Sequence, residues 1–266
     1  LTELVGPNIK IPPADIYILG AYHPGYEDLI SALLPARIWT CWTSSAGECD
    51  MEPVEIEYLQ HILRDPRIEK VWFGDPSLAQ VYPEKGFHAP YPFSSDLPLY
   101  TGPKRDAIGL FNPGGLKKNN YNQILAAELF QRSHPGWILE TNVANYEPVM
   151  KSLGLRYRLH PWLPAEEYHQ VLGGCRINMA CSWAETNNYQ VAEAGLLGVP
   201  SVISLTIPQP GIECDYPNSP EEIASSMEYS IEQREAPEEV RASITAFAEE
   251  RNLELQDALT KAVNSP

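Results

Sequence analysis

At 266 residues and 44% hydrophobic content, the chain has material for one large globular domain or two small ones. No apolar run reaches the ~18–20 residues that a membrane-spanning helix needs. A net charge of −16 opposes binding to nucleic acid and strong binding to anionic membranes, and an anionic ligand would need a local basic pocket. The five cysteines are scattered and odd in number, with no C-x-x-C pair. That usage suits a reducing, cytoplasmic setting and argues against a disulfide framework or a zinc site.

In chain order, LTELVGPNIKIPP reads as an irregular lead-in. Strand-like runs then alternate with helical patterns, which points to α/β architecture with parallel sheets. Strands are expected at 15–20, 37–42 and 70–74, with helices near 26–34 and 53–64. The first strand leads into GAYHPGYEDL, which puts His23 at a strand's C-terminal end, the usual ligand edge of an open α/β sheet. Trp39 and Trp42 belong to the next strand; core packing is expected for both, with a sugar-stacking platform as a second option for Trp42. FHAPYPF (87–93) is extended and limited by proline. SSDLPLYTGPKR (94–105) has turn chemistry and is the best linker, so a first domain over 1–100 and a second over 104–235 are expected.

The second series has strands at 107–112, 136–142, 156–162, 176–182 and 199–204. Helices are expected near 119–133, 145–153, 164–173, 187–197 and 219–233. Residues 237–263 are helical and amphipathic.

Two segments carry the chemistry. NPGGLKKNN (112–120) follows a strand and opens a helix: Gly114 and Gly115 allow close backbone approach, and Lys117 and Lys118 bring positive charge to an acidic chain. A glycine turn, a lysine and a helix N-terminus make a diphosphate clamp. ETNNYQVAE (185–193) places Glu185 and Glu193 eight positions apart after a strand. A helix starting near Thr186 would set them about two turns, roughly 12 Å, apart. The N–H groups of Thr186, Asn187 and Asn188 would then face an anion, and their side chains could bond hydroxyls. An elongated nucleotide-sugar has a matching shape. There is no Walker A loop, no G-x-G-x-x-G, no G-x-S-x-G and no Asp-x-Asp string.

The ordered combination Ser182-Trp-Ala-Glu185, seven spacers, Glu193-Ala194 and Gly198-Val199-Pro200 resembles the donor half of GT-B-fold retaining glycosyltransferases, glycosyltransferase family 4 in particular. The resemblance implies two Rossmann-like parallel-sheet domains, the first short or truncated, with helix 237–263 bracing the first domain. It implies transfer of a sugar from a nucleotide-sugar donor to a glycan, lipid or small-molecule acceptor with retention of configuration, without metal or other cofactor. Lys118, in the form Lys118-Asn119, matches the family's lysine and would stabilise the departing diphosphate. Glu185 would orient the donor sugar and Glu193 would accept from the ribose. His23-Pro24 partly matches a string that touches the sugar. The family's arginine position falls on Asn112, with Lys117 or Arg105 as substitutes for its charge. Thr186, Asn187 and Asn188 replace a glycine-rich turn. HPWLPAEEYHQVL resembles the segment over the nucleobase, with Trp162 and Leu163 at the base; Asn142, closing its strand, joins the binding set. Two other readings stand beside transfer: nucleotide-sugar binding without turnover, and a GT-B epimerase or phosphorylase.

Overall fold

The computed structural model describes residues 13–20, 26–51, 53–112 and 114–265. The chain divides into two compact units, residues 1–90 with 254–266, and residues 91–253. In each, the described strands are parallel, as the alternation of strand and helix patterns requires.

The first unit has four strands, β1 (Ile16–Gly20), β2 (Arg37–Trp42), β3 (Ile68–Phe73) and β4 (Gly86–His88), in spatial order β1-β2-β3-β4. Helices α1 (Glu27–Leu33), α2 (Ala46–Met51), α3 (Pro53–Arg64) and α4 (Pro76–Val81) connect them. Ile30, Leu59, Ile62, Val71 and Phe73 share one buried cluster. Trp39 and Trp42 are buried, which fits the packing role and leaves Trp42 no open face for a sugar. His23 lies outside the described residues.

The second unit has six strands: β5 (Ala107–Leu110), β6 (Ile138–Thr141), β7 (Tyr157–Leu159), β8 (Ile177–Ala180), β9 (Ser201–Ser204) and β10 (Ile212–Cys214). Their order is β10-β9-β8-β5-β6-β7. The central strands β5, β8 and β9 are buried on both faces, as parallel strands covered by helices are. Ile108 and Leu110 point into a cluster with Ile124 and Phe130 of α5 (Asn120–Ser133) and Ile223 and Met227 of α9 (Pro220–Gln233). Ala107 and Phe111, of opposite parity, meet Leu172 of α7 (Ala165–Gly173) and Ala194 of α8 (Tyr189–Leu196). Between α5 and α7 in the chain comes α6 (Glu147–Ser152), preceded by a 3₁₀ turn at Ala144–Tyr146.

The 94–105 stretch belongs to the second unit. Arg105 N–H donates to Gly174 O at 2.8 Å, and a Cβ on Gly173 would come within 2.7 Å of the Tyr100 ring. Proline and glycine gave this stretch the look of a linker, but these contacts pack it down. The last helix, α10 (Pro237–Asn264), gives its residues to Leu253 to the second unit and those from Glu254 to the first. Its Ile244 fills the space above Gly195, where a Cβ would lie 2.1 Å from Ile244 Cγ1. Gly198 has φ 73°, and a Cβ there would meet Pro237 Cβ at 2.6 Å, so glycine is required for the turn into β9.

Candidate functional site

In the second unit β6 and β7 lie to one side of β5, whereas β8, β9 and β10 lie to the other. The strand order therefore reverses at the β5–β8 pair. Loops leaving the carboxyl ends of such a pair diverge and open a crevice, the usual ligand position in an open α/β sheet. The loop after β5 carries Lys118 and the loop after β8 carries Glu185.

The β5 loop is shaped by its own residues. Gly114 has φ 153°, and a Cβ there would press on Lys118 Cγ at 3.1 Å. Leu116–Lys118 form a 3₁₀ turn that Asn119 ends in a left-handed conformation, φ 53°. Asn119 Nδ2 donates to Cys181 O at 3.0 Å, and Trp183 N–H donates to Lys117 O at 2.8 Å, so the two loops are strapped together. Lys118 Nζ pairs with Glu185 Oε1; the side chains are only 18% and 5% exposed. Asn112, at the position the resemblance gives to arginine, is buried and donates to Ser182 Oγ at 3.4 Å. Arg105 does not replace that arginine, because its guanidinium is held by Glu140 at 2.8 Å and by Val171 O at 3.0 Å.

The helix after Glu185 starts later than expected. Thr186 and Asn187 are irregular, and Asn188 is the N-cap of α8: its Oδ1 accepts from Val191 N–H at 3.2 Å. Asparagine side chains compete for backbone N–H groups, so the Asn-Asn pair ends the loop instead of entering the helix. The backbone groups at the helix mouth are thus those of Tyr189 and Gln190, not of Thr186, Asn187 and Asn188. Glu193 sits about one turn inside α8, not two.

At the other end, α7 turns Ala165, Tyr168 and His169 toward Glu193, with Leu172 of the same stripe in the core. Tyr168 faces Glu193, and His169 Nε2 lies 3.5 Å from Glu193 Oε1. Burial, reinforced by the Glu193 carboxylate, pushes the Tyr168 phenol above the ordinary tyrosine range. Phe111 meets Tyr168 edge-on, ring centres 5.4 Å apart. With its amide oxygen toward donors, Gln190 pairs with both the N–H (3.1 Å) and the C=O (3.0 Å) of Phe111, which locks α8 to the end of β5. Trp162 projects from the turn after β7 and is 83% exposed.

These groups surround one cleft of about 460 Å³, within the second unit. Of the residues expected from sequence, Asn112, Lys118, Asn142, Trp162, Leu163, Asn187, Asn188 and Glu193 line it. Glu185 joins through Lys118. Gly114, Gly115, Lys117 and Thr186 lie in the flanking loops, off its wall. Tyr168, His169, Phe111 and Gln190 were not expected; the spacing of Ala165, Tyr168, His169 and Leu172 is a helical stripe readable in the sequence. Asn142 Oδ1, Asn187 Nδ2 and Asn188 Nδ2 are buried without a hydrogen-bond partner among the described residues. Unmade bonds of this kind cost free energy. No group of three or more His, Cys, Asp or Glu among the described residues could hold a metal.

No protein-family model matches the chain, and no curated protein sequence matches it. Solved structures do. An α,α-trehalose-phosphate synthase (UDP-forming) from Burkholderia xenovorans, in complex with glucose-6-phosphate, superposes with a TM-score of 0.71 at 9% identity, covering 94% of this chain and 74% of that one. OtsA, a trehalose-6-phosphate synthase, gives 0.70 at 10% identity over 96% and 74%. Anabaena HepE in complex with UDP-glucose gives 0.69 at 14% identity over 88% and 74%. At such identities the likeness is one of fold. With two parallel-sheet α/β units and a reversed strand order in the second, the chain has the GT-B-like fold of these structures.

Proposed function

We propose that the chain is a glycosyltransferase that binds a nucleotide-sugar in the second unit's cleft and passes the sugar to a glycan, lipid or small-molecule acceptor. One observation carries this reading. A single cleft at the strand-order reversal has a lysine–glutamate pair at one end and a helix carboxylate, facing Tyr168 and His169, at the other. A nucleotide-sugar needs a cation at its diphosphate, which lies between the ribose and the sugar, and acceptors for the hydroxyls on either side. Lys118 stabilises the charge that develops on the departing diphosphate. Glu185, beside it, orients the donor sugar. Glu193 accepts from the ribose diol, and the Trp162–Leu163 turn lies by the base. The fold shared with HepE, whose structure holds UDP-glucose, supports a uridine nucleotide as the first ligand to try.

Retention of configuration fits a cleft whose cation sits where the leaving group departs, so that the diphosphate itself takes the acceptor's proton on the same face. With a lysine in that place, the reaction should run without a divalent ion. Transfer that is abolished by EDTA and restored by magnesium or manganese would contradict this. The five free cysteines, all buried, support a reducing, cytoplasmic setting.

A second reading, donor binding without turnover, draws on Asn112 standing where the resemblance places arginine and on Arg105 being held elsewhere. A thermal-shift panel of nucleotides and nucleotide-sugars, followed by donor hydrolysis, tests both. A bound ligand at 100 times its dissociation constant adds about 2.7 kcal/mol, or about 5–10 °C in Tm for a chain of this size. No shift with any nucleoside diphosphate would overturn the proposal, and a shift without hydrolysis or transfer would favour the second reading.

A further inference from the structure

Glu140 is a carboxylate with no exposed side-chain surface, in the middle strand of the β5–β6–β7 half-sheet. Three cationic or donor groups surround it. Arg105 Nη1 lies 2.8 Å and Arg158 Nη1 3.0 Å from Oε1, and His160 Nε2 lies 2.6 Å from Oε2. Arg158 stands directly across from it on β7. Burying such a cluster gives little net stability, since an apolar residue of like size is often equal or better. Two of the chain's 19 Lys and Arg residues are nonetheless committed here.

Both arms of the cluster lead to the nucleoside end of the cleft. His160 N–H donates to Thr141 O at 2.7 Å and closes the β7 pairing; the next residues, Pro161, Trp162 and Leu163, line the cleft. The His160 ring also lies 5.9 Å from Phe111, which supports Tyr168. The other arm is Arg105, whose Nη2 donates to Val171 O on α7, the helix that carries Tyr168 and His169. We propose that Glu140 is a positioning residue for the nucleotide: without touching it, Glu140 fixes the Trp162 turn through His160 and α7 through Arg105. The inference rests on the nucleotide reading of the cleft.

The test compares Glu140→Met, Glu140→Gln and His160→Gln by amide hydrogen exchange without nucleotide, and by calorimetry with UDP and with uridine. In Glu140→Met, exchange over 160–169 should rise about tenfold or more, while strands 177–180 and 201–204 stay protected. Glu140→Gln still accepts hydrogen bonds and should show a smaller rise. His160→Gln should loosen the 160–163 turn alone, and it provides the test if Glu140→Met does not fold. UDP and uridine affinity should fall in parallel in Glu140→Met, by about tenfold, because the loss is at the nucleoside end. Unchanged exchange over 160–169, or an even rise across every strand, would overturn the inference and leave Glu140 a structural residue. A wild type that binds neither UDP nor uridine would overturn the uridine assignment instead, with exchange still deciding what Glu140 holds.

Discussion

At the Lys118 end of the cleft, both charged side chains come from loops at the reversal of strand order, and each is the other's partner. At the Glu193 end the carboxylate comes from inside a helix, faces an aromatic hydroxyl and an imidazole, and is more than a third exposed. The first end is a mutual pair; under the proposed function its lysine would turn from a carboxylate to a phosphate when a donor binds. The second is assembled in advance on α7, α8 and β5 and needs no exchange. Selectivity for the nucleoside should therefore come from a preformed surface, and charge handling from a pair that opens.

The sharpest way to break this contrast is Glu185→Ala. If Glu185 orients the sugar, transfer or donor hydrolysis should fall by about 10²-fold or more. Nucleoside-diphosphate affinity should hold within a few-fold or rise, since Lys118 loses a competitor. Steady-state kinetics beside calorimetry read the two effects; a variant that loses UDP affinity and keeps its transfer rate would reverse the roles of the two ends.

The next effect is at Glu193. Glu193→Ala should weaken UDP by about tenfold or more and Glu193→Gln by less, because a charged acceptor is worth roughly 1.5–3 kcal/mol and an amide oxygen keeps part of the bond. Equal affinity in wild type and Glu193→Ala would remove the carboxylate from the ribose.

The smallest effect is Tyr168→Phe, which removes the hydroxyl that faces Glu193 and should cost about two- to fivefold in affinity. The raised phenol pKa has a definite sign. Its contribution to stability is complete below the ordinary tyrosine value near 10 and is lost only as pH rises through the higher folded value. Wild-type affinity should thus not fall below pH 10 through loss of the Tyr168 proton, and a pH titration of wild type beside Tyr168→Phe reads this.

Much of the fold was legible because its signals are local. The apolar run Arg37–Trp42 and the amphipathic Pro53–Arg64 have the bounds read from sequence. The short α2, α4 and β10 went unread, since six or fewer residues hold too few periods to distinguish. The α8 start was misplaced because a Thr-Asn-Asn run serves equally as first turn or as cap, and only the Asn188 bond to Val191 decides. In the site, Lys118, Glu185 and Glu193 were legible as residue types at a spacing. That the loops carrying Lys118 and Glu185 meet was not, because the reversal at β5–β8 is a matter of spatial order that the run of elements along the chain does not contain. Arg105 read as a spare cation near the glycine loop; the buried Glu140 that holds it lies 35 positions away.

The most direct measurement of the central claim is calorimetric binding of UDP and of uridine to wild type, Lys118→Ala and Glu193→Ala. Lys118→Ala should lower UDP affinity by about 10–100-fold, the worth of a charge-assisted contact to phosphate, and leave uridine unchanged. Glu193→Ala should lower both in parallel. Equal loss of UDP and uridine in Lys118→Ala, or uridine binding untouched by Glu193→Ala, would contradict a cleft that grips the diphosphate at one end and the nucleoside at the other.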